Sequence, residues 1–321
     1  MCRVCIVTVY FGKLPVYFPL WVCSVKYNSS IDFIVYTDDD FDGSLPPNLQ
    51  IKRLTLSGLK QRATAKLGLN VCLDRPYKCC DFKPVYGLIF EDDLKEYDYW
   101  GHCDIDLIFG DLKSFFLKNR LEKYDRFLTL GHLSLYRNTK EVNMRYEEGG
   151  AFVDYETVFC SNNSYAFDEF TGMTSIYMAN HYSMFDKRIF LDISPTYHRF
   201  TISTRYSLDI KPKNYKYQTF FWENGKVFHI YLKGKKVFLK EYIYIHFQKR
   251  GPLKVNFDVV GDKAFFITNN GFYEKKRLPN AKDIMSLNEY PGLFYELLER
   301  IRNNLITIRF LIIDKLRRWC R

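Results

Sequence analysis

The sequence predicts an α/β protein with a mixed, mainly parallel central sheet flanked by helices. Val4–Tyr10 is a continuous run of mainly β-branched residues, and residues 31–37 form a second apolar run, which is typical of strands buried on both faces. Between them, Pro15 is suited to begin a helix that includes Trp21. Strand, helix and strand at this spacing form a βαβ unit, so we expect a parallel pair with a right-handed crossover.

Local patterns predict the remaining elements. Ligands of open α/β sheets bind at the carboxyl ends of strands, so the loops after Tyr10 and at Asp38 are candidate ligand walls. Asn224-Gly225 and Asn270-Gly271 are typical of hairpin turns. We expect further strands at residues 51–56, 104–106, 127–132 and 239–247, helices at 57–70, 78–92 and 166–179, and a mobile polar loop at 141–165.

The composition excludes several classes of protein. Apolar residues make up 47% of the 321 residues, which is too many for a disordered chain and enough for one large or two small domains. The net charge of +10 favours anionic partners such as nucleotide phosphates, acidic lipids or nucleic acid. Nine cysteines without a regular spacing favour reduced thiols over disulfides. The N-terminal run is interpreted as a strand rather than a signal peptide, and no apolar run predicts a membrane-spanning helix.

Asp104 and Asp106 are the residues around which the sequence is organised. They stand one residue apart, between an aromatic run and an apolar run. In an extended segment both carboxylates would point to one face, while Ile105 and Leu107 would point into the core. Adjacent carboxylates repel each other unless a cation neutralises them, and Mg²⁺ and Mn²⁺ prefer oxygen ligands. The stretch therefore predicts a seat for a metal and a diphosphate, and the alternative is a solvated acidic turn.

His246 is the candidate third metal ligand. It closes an aromatic strand and is followed by Lys249 and Arg250. A neutral imidazole can complete a metal site that two carboxylates begin, and the two cations are suited to hold a diphosphate. The alternative is a partly buried histidine with an ordinary structural hydrogen bond.

Further polar residues are candidates for the same cleft. Lys83 is suited to neutralise phosphates, and Asp81 is suited to accept a hydrogen bond from a ribose hydroxyl. Asp168 and Glu169 offer a general base or a partner for a sugar hydroxyl, and His132 is placed to line the cleft. The plainer alternatives are a local salt bridge for Lys83, an acidic helix N-terminus at residues 168–169 and a strand-end histidine.

Several motifs together resemble a family of bacterial polysaccharide-cluster proteins, long catalogued as of unknown function and placed near capsular glycosyltransferases. The resemblance covers roughly residues 4–275. The motifs are Y-F-G at 10–12, Y-K-C-C-D-F-K-P at 77–84, W-G-H-C-D-I-D at 100–106, T-L-G-H at 129–132, A-F-D-E at 166–169 and Y-I-H at 244–246. The order of these motifs also resembles a nucleotide-sugar glycosyltransferase of the GT-A fold, although Lys83 stands where many relatives of that fold carry arginine.

The resemblance implies a GT-A, Rossmann-like catalytic domain over residues 1–275, with Mn²⁺ or Mg²⁺ as cofactor. It implies a hexose transfer from a UDP-sugar donor to a glycan or lipid-linked oligosaccharide acceptor in surface polysaccharide synthesis. The implied metal ligands are Asp104, Asp106 and His246; the donor-binding residues are Tyr10, Phe11, Gly12, Asp38, Asp81, Lys83, Asp104 and Lys249; the catalytic carboxylates are Asp168 and Glu169; and His132 lies on the acceptor side.

Two other classes of protein are considered. A D-x-D phosphatase would carry a nucleophilic aspartate directly after the first strand, and Val4–Tyr10 ends without one. A basic nucleic-acid-binding or other phosphate-binding protein without transferase activity fits the net charge. However, the aromatic residues do not interleave with lysine and arginine in a recognisable RNA-binding motif, so we expect no nucleic-acid partner.

The last segment, residues 276–321, predicts a C-terminal amphipathic helix. Apolar residues recur there at helical spacing from Leu298 to Trp319, and residues 300–321 carry seven basic residues and one acidic residue. A basic amphipathic helix with a tryptophan is suited to lie in the interface of an anionic membrane. We expect residues 293–321 to hold a cytoplasmic protein peripherally on the inner face of the plasma membrane. The alternative is that the apolar stripe packs on the catalytic domain.

Overall fold

The computed structural model describes residues 2–195, 197–203, 212–248, 253–259 and 263–287, together with residues 261, 292, 294, 297, 298 and 301. Over these residues the chain is a mixed α/β structure with three sheets, which confirms the predicted α/β class. The strands are β1 (Val4–Tyr10), β2 (Asp32–Thr37), β3 (Leu49–Arg53), β4 (Tyr99–Cys103), β5 (Leu107–Phe109), β6 (Arg126–Leu130), β7 (Leu133–Arg137), β8 (Met184–Phe185), β9 (Leu191–Asp192), β10 (Gln218–Glu223), β11 (Lys226–Lys233), β12 (Lys236–Tyr242), β13 (Tyr244–His246), β14 (Lys254–Val255), β15 (Phe265–Thr268) and β16 (Gly271–Glu274).

The helices are mostly short. They are α1 (Phe18–Lys26), α2 (Leu56–Leu67), α3 (Cys79–Phe82), α4 (Tyr86–Ile89), α5 (Glu91–Leu94), α6 (Leu112–Lys118), α7 (Lys140–Met144), α8 (Tyr155–Cys160), α9 (Ser175–Ala179) and α10 (Ala281–Leu287). Single 3-10 or π-helical turns link several of them, at Pro76–Lys78, Lys83–Val85, Leu121–Lys123, Arg145–Glu147 and Phe170–Thr174.

The largest sheet has the strand order β3-β2-β1-β4-β7-β6-β8 in the described part of the chain. The β1–β2, β1–β4, β2–β3 and β6–β8 pairs are parallel, and β7 runs antiparallel to both β4 and β6. Alternate residues of β1 enter two different cores: Val4 and Ile6 pack into one, and Cys5 and Val7 into the other. β1 is therefore buried on both faces, as its continuous apolar sequence predicts.

Two smaller sheets complete the fold. One has the order β12-β11-β10-β15-β16-β14, and its β10–β11 turn is formed by Asn224 and Gly225, both with the positive φ that a type I′ turn requires. The other has the order β5-β13-β9 and links the two larger sheets, because β5 follows β4 along the chain and β13 follows β12. This three-stranded sheet brings His246 to the segment that carries Asp106, since His246 pairs with Leu107.

The expected strand at Asp104–Asp106 is wrong. β4 ends at Cys103, β5 begins at Leu107 in a different sheet, and residues 104–106 form the bend between them. The bend still buries the Ile105 side chain, which is 3% exposed. The chain changes sheets here, so the two carboxylates meet at a junction rather than on one face of a strand.

Other boundaries also differ from the sequence expectation. Residues 141–165 are not a mobile loop, because buried Val142 and Phe159 anchor α7 and α8 in the core. α1 begins at Phe18 rather than at Pro15, with Pro19 in its first turn. The third strand lies at residues 49–53, and the strand expected at 239–247 is divided at Ile243, where the chain passes from one sheet to the next.

The structure describes only part of the predicted C-terminal segment, residues 276–321. In α10, Ile284 is fully buried beside Phe221 and Ile230, so this helix packs on the six-stranded sheet. Residues 293–321, which were expected to bind the membrane, lie outside the described residues, apart from the isolated positions 294, 297, 298 and 301. Among the helices that the structure describes, none is long and apolar enough to cross a membrane. The division at residues 275 and 276 stays a prediction.

Candidate active site

The candidate site lies at the carboxyl ends of β1 and β4, where open α/β sheets bind ligands. Two backbone hydrogen bonds hold the bend that carries the paired aspartates. The Asp104 N–H donates to the His132 carbonyl at 3.0 Å, and the Phe247 N–H donates to the Asp106 carbonyl at 3.2 Å. Segments distant in sequence therefore fix the bend on both sides.

The three predicted metal ligands come together. Ligand atoms of Asp104, Asp106 and His246 all lie within 4.8 Å of one another. His246 Nε2 is 3.5 Å from Asp106 Oδ1, and His246 Nδ1 lies 2.9 Å from Asp192 Oδ1. Because an ionised carboxylate only accepts hydrogen bonds, the proton on Nδ1 points to Asp192 and Nε2 faces Asp106.

The electrostatics of His246 reflect its two carboxylate neighbours. Burial alone would lower the pKa of His246, but Asp106 and Asp192 outweigh burial and raise this pKa to about 10. The pKa of Asp192 is lowered to about 2, because hydrogen bonding and charge from His246 outweigh the effect of burial. Without a bound cation, a protonated imidazole therefore balances the two buried carboxylates. A metal ion that took Nε2 would release that proton.

The residues present fit a divalent cation. Among the described residues, no hydrogen bond of ordinary length reaches the buried Asp106 Oδ1, and His246 Nε2 lies 3.5 Å from it. A buried carboxylate oxygen without a donor is costly unless an ion binds it. Two carboxylates and one imidazole are a ligand set suited to a cation that prefers oxygen and accepts one nitrogen, such as Mn²⁺.

His132 packs directly against the predicted metal ligands. Its ring centroid is 4.5 Å from that of His246, and its Nδ1 lies 2.9 Å from Tyr244 Oη. Its Nε2 is buried and has no hydrogen-bond partner within the part of the chain that the structure describes. Burial and the neighbouring His246 lower the pKa of His132 to about 3, so this imidazole is neutral. His132, Asp192 and His246 form a second group whose ligand atoms lie within 4.8 Å.

Lys83 occupies the other side of the site. Its Nζ donates to Asp104 Oδ1 at 2.7 Å and to the Gly131 carbonyl at 2.8 Å, and it lies 3.2 Å from Asp168 Oδ2. Burial would lower the pKa of Lys83, but Asp104 and Asp168 outweigh burial and raise this pKa well above its usual range. Lys83 is therefore a permanent cation between two carboxylates.

Asp168 and Glu169 form an acidic pair beside Lys83. Burial raises the pKa of Asp168 to about 7, with repulsion from Glu169 adding to the rise and Lys83 opposing it. Burial also raises the pKa of Glu169. The backbone of Asp168 is held by buried Arg126, whose Nη2 donates to the Asp168 carbonyl at 2.8 Å. A carboxyl group with a pKa near neutral pH is suited to proton transfer.

Gly131 is required by the close approach of this acidic pair. Its N–H donates to Glu169 Oε1 at 3.4 Å. A Cβ at this position would overlap Asp168 Oδ2 and come within 3.0 Å of Glu169 Oε1. Only glycine fits here without moving both carboxylates, which explains the Gly-His pair at the β6–β7 turn.

A cavity of about 450 Å³ connects these groups. Its size is in the range of small-molecule sites. Of the predicted site residues, those that line it are Lys83, Asp104, Asp106, His132, Asp168, Glu169 and His246.

The predicted residues after β1 form a separate rim. The Gly12 N–H donates to Asp38 Oδ1 at 2.7 Å, and Gly12 has a left-handed φ of 91°, which favours glycine. Phe11 is buried in the core. Tyr10 lies near the acidic cluster: burial and the negative charge of Asp106 raise its pKa. These four residues do not line the cavity, and their donor-binding role stays a prediction.

The structure corrects the expected donor-binding role of Asp81. Its carboxylate is fully buried, pairs with Lys78 Nζ at 2.9 Å and accepts hydrogen bonds from the Tyr165 and Phe167 amides. Asp81 therefore positions the segment that leads to Asp168 and is not exposed to a ribose. Lys249, which was also expected to bind the donor, lies outside the described residues.

Sequence reasoning missed Asp192 and Gln248. Gln248 Nε2 donates to Asp192 Oδ1 at 2.7 Å, and both residues line the cavity. The signal for Asp192 was a single carboxylate inside an apolar run at residues 189–193. Gln248 has a φ of 62°, a left-handed conformation that is uncommon for a residue with a side chain. Such conformations are often kept at binding sites.

Comparisons with known proteins give a family and distant likenesses to solved structures. No curated protein matches the sequence. Among solved structures, the galactosyltransferase LgtC in complex with donor and acceptor sugar analogues is similar over 60% of this chain and 76% of its own, with 10% identity and a TM-score of 0.33. A likeness this distant carries no argument about function. A family model described as "Family of unknown function (DUF6625)" matches residues 6–276, and the chain belongs to this family.

Proposed function

We propose that the protein is a metal-dependent glycosyltransferase that moves a hexose from a UDP-sugar to a glycan acceptor. One observation carries the proposal: Asp104, Asp106 and His246 converge beside a cavity that also holds a buried lysine and an acidic pair. Metal ligands, a cation for phosphates and a titratable carboxyl group are the parts that transfer from a nucleotide diphosphate requires. The motifs shared with polysaccharide-cluster proteins support the same reaction.

The metal side of the cavity would receive the diphosphate. Asp106 and His246 would hold Mn²⁺ or Mg²⁺, and Asp104 would join them or hold the ribose. The bound ion would offset the negative charge that develops on the departing UDP. Asp192 keeps the His246 ring oriented toward this position through its 2.9 Å contact with Nδ1.

The acidic pair would act on the acceptor. Asp168, with its pKa raised to about 7 by burial, is in part ionised at neutral pH and is suited to take a proton from an acceptor hydroxyl. Lys83 lies 3.2 Å from this carboxylate and 2.7 Å from Asp104, so it links the two halves of the site. Glu169 and His132 would contact the sugar from the same side.

The proposal also covers the acceptor and the location of the protein in the cell. The acceptor would be a lipid-linked oligosaccharide in surface polysaccharide synthesis, and the protein would lie on the cytoplasmic face of the plasma membrane, with residues 293–321 on anionic lipid. These assignments rest on the basic, amphipathic sequence of the C-terminal segment.

The test is a panel of UDP-sugars with Mn²⁺, scored for UDP release without an acceptor. We expect slow hydrolysis of one donor, its loss in excess EDTA and its loss in Asp106→Asn. Asp92→Asn is the matched control, because Asp92 is exposed and lies outside the cavity. Full activity in EDTA would overturn the metal role. Phosphate binding without hydrolysis of any sugar nucleotide would favour a phosphate-binding protein instead.

A further inference from the structure

We propose that the β11–β12 hairpin is a membrane-contact surface that rests on an anionic lipid bilayer, separately from residues 293–321. β12 is an edge strand, since β11 is its only partner among the described strands. Three consecutive apolar residues on it are exposed: Val237 by 42% and Leu239 by 48% on one face of the strand, and Phe238 by 39% on the other. Apolar side chains next to each other on a free edge invite aggregation unless a partner covers them.

Lysines surround this apolar group. Lys233, Lys235, Lys236 and Lys240 are all exposed, and none forms an ion pair with a described carboxylate. Lys233 and Lys236 stand directly opposite each other across the hairpin. Like charges in this position destabilise a strand pair, so an anionic surface that binds both would relieve the repulsion.

The combination of charge and apolar exposure favours a bilayer over other partners. Lysine on an edge strand is a common protection against aggregation, but that role does not explain three exposed apolar neighbours. A soluble polyanion would engage the lysines and leave the apolar side chains in water. A bilayer meets both needs, because lysines bind acidic headgroups while apolar side chains enter the boundary with the acyl chains.

The packing of the hairpin is suited to this contact. Phe238 stacks on Tyr231, with ring centroids 5.6 Å apart and an interplanar angle of 11°, and Tyr231 stacks in turn on Tyr215. Tyr231, the neighbour of Phe238 on β11, therefore supports the Phe238 ring on one face of the sheet. Val237 and Leu239 lie on the other face, opposite Leu232 and Ile230 on β11. The bilayer would therefore meet the edge of β12, where side chains of both faces are held on a strand instead of a loop.

The hairpin also stands close to the candidate site along the chain. β12 is followed directly by β13, which carries His246 into the cavity. At roughly 3.3–3.6 Å per residue, the stretch from Phe238 to His246 spans at most about 30 Å. A protein held on the bilayer by this hairpin would keep its cavity near lipid headgroups, which suits an acceptor carried by a lipid.

The experiment is co-sedimentation of the full chain with vesicles of equal parts phosphatidylcholine and phosphatidylglycerol, and with phosphatidylcholine alone. One variant replaces the apolar group with serine, and a second replaces the four hairpin lysines with glutamine. The control variant replaces four exposed lysines away from the hairpin, Lys113, Lys118, Lys123 and Lys140, with glutamine. Thermal unfolding of each variant checks that the fold is retained.

We expect the unaltered chain to bind the anionic vesicles and not the neutral ones. Each lysine near an anionic surface is worth roughly fivefold in affinity, so the lysine variant should bind at least about tenfold more weakly. The serine variant should lose binding by a similar factor, while the control variant should bind nearly as the unaltered chain does.

Three results would overturn the proposal. Unchanged binding of both hairpin variants would assign membrane contact to another segment, such as residues 293–321. Loss in the lysine variant alone would mean that charge alone draws the hairpin to the headgroups and that the apolar side chains do not enter the bilayer. Failure of the unaltered chain to bind anionic vesicles would exclude the surface altogether. None of these results depends on transferase activity, so they leave the proposed reaction to its own test.

Discussion

The two sides of the cavity hold buried carboxylates in different ways. On one side, Lys83 lies between Asp104 and Asp168 as a permanent cation. On the other, Asp106 and Asp192 face His246, whose positive charge depends on a proton. A lysine cannot be exchanged for a metal, whereas an imidazolium can lose its proton and bind one. Under the proposed function, the His246 side would hold an exchangeable ion, and the Lys83 side would provide a fixed charge balance.

The largest effect that this comparison predicts is on the Lys83 side. Lys83→Met leaves Asp104 and Asp168 without their cation, and breaking a buried ion pair by removing one partner costs about 3–5 kcal/mol. We expect the free energy of unfolding to fall by about this amount in urea denaturation. Lys113→Met, at an exposed lysine, should change it little. Equal small losses in both variants would mean that Lys83 does not balance these charges.

The His246 side should respond to metal instead. A ligand that binds only the folded state stabilises it by about 2.7 kcal/mol at a hundred times its Kd, so Mn²⁺ should raise the Tm of the unaltered chain. Asp106→Asn and His246→Ala should abolish this rise, because each removes a ligand. Lys83→Met should keep it, although from a lower starting Tm. A rise that survives in Asp106→Asn would place the ion elsewhere.

Asp192 should matter less, since it acts through His246. Asp192→Ala removes the acceptor that orients Nδ1, and loss of such a partner typically weakens metal binding about 10–100-fold. Calorimetric titration with Mn²⁺ measures this change. Asp192→Asn should restore part of the affinity, because its amide oxygen can still accept the hydrogen bond. Glu169→Gln is the control on the opposite side, and a similar loss there would remove the distinction between the two sides.

The remaining prediction concerns the pH dependence of Asp168. A general base acts as a carboxylate, so the transfer rate should rise through about pH 7 and fall about tenfold per pH unit well below it. The rate of Asp168→Asn should be low and should not show this rise with pH. A rate profile for the unaltered chain that is flat between about pH 5 and 8, the range in which folded proteins are usually most stable, would contradict the role.

Stability gives an independent control on the same group. The folded pKa of Asp168 is raised above its usual value, so its contribution to stability is present at low pH and is lost as pH rises through about 7. The Tm of Asp168→Asn minus the Tm of the unaltered chain should therefore be larger at pH 8 than at pH 4. The opposite sign would mean that Lys83 dominates the energetics of this carboxylate.

The parts of the site that sequence predicted are those with a local pattern. Asp104 and Asp106 are adjacent in spacing, and His246 ends an aromatic strand, so each could be noticed without knowledge of the fold. Asp192 is a lone carboxylate on a two-residue strand, and only its parallel pairing with β13 brings it to His246. Long-range pairing of this kind leaves little trace in one sequence.

Burial was the other quantity that the sequence could not supply. Asp81 and Lys83 are both charged and lie near the same helix start, yet Asp81 is sealed inside the protein by Lys78 and two amides while Lys83 reaches the cavity. The buried strands β1 and β2 were predicted well because continuous apolar runs report burial directly. At residues 141–165 a polar sequence concealed four core residues on short helices: Val142, Tyr146, Val158 and Phe159.

The bend at residues 104–106, where the chain leaves one sheet for another, has a consequence for the order of folding. β4 joins the first sheet through β1, but Asp104, Asp106 and His246 come together only when β13 docks on β5. The same docking brings Tyr244 to His132, 112 residues away along the chain. Loops of this length close late, because the entropy they lose must be recovered by contacts formed afterwards. Under the proposed metal role, a newly made chain would therefore acquire affinity for the ion only after β13 has been made and has docked on β5.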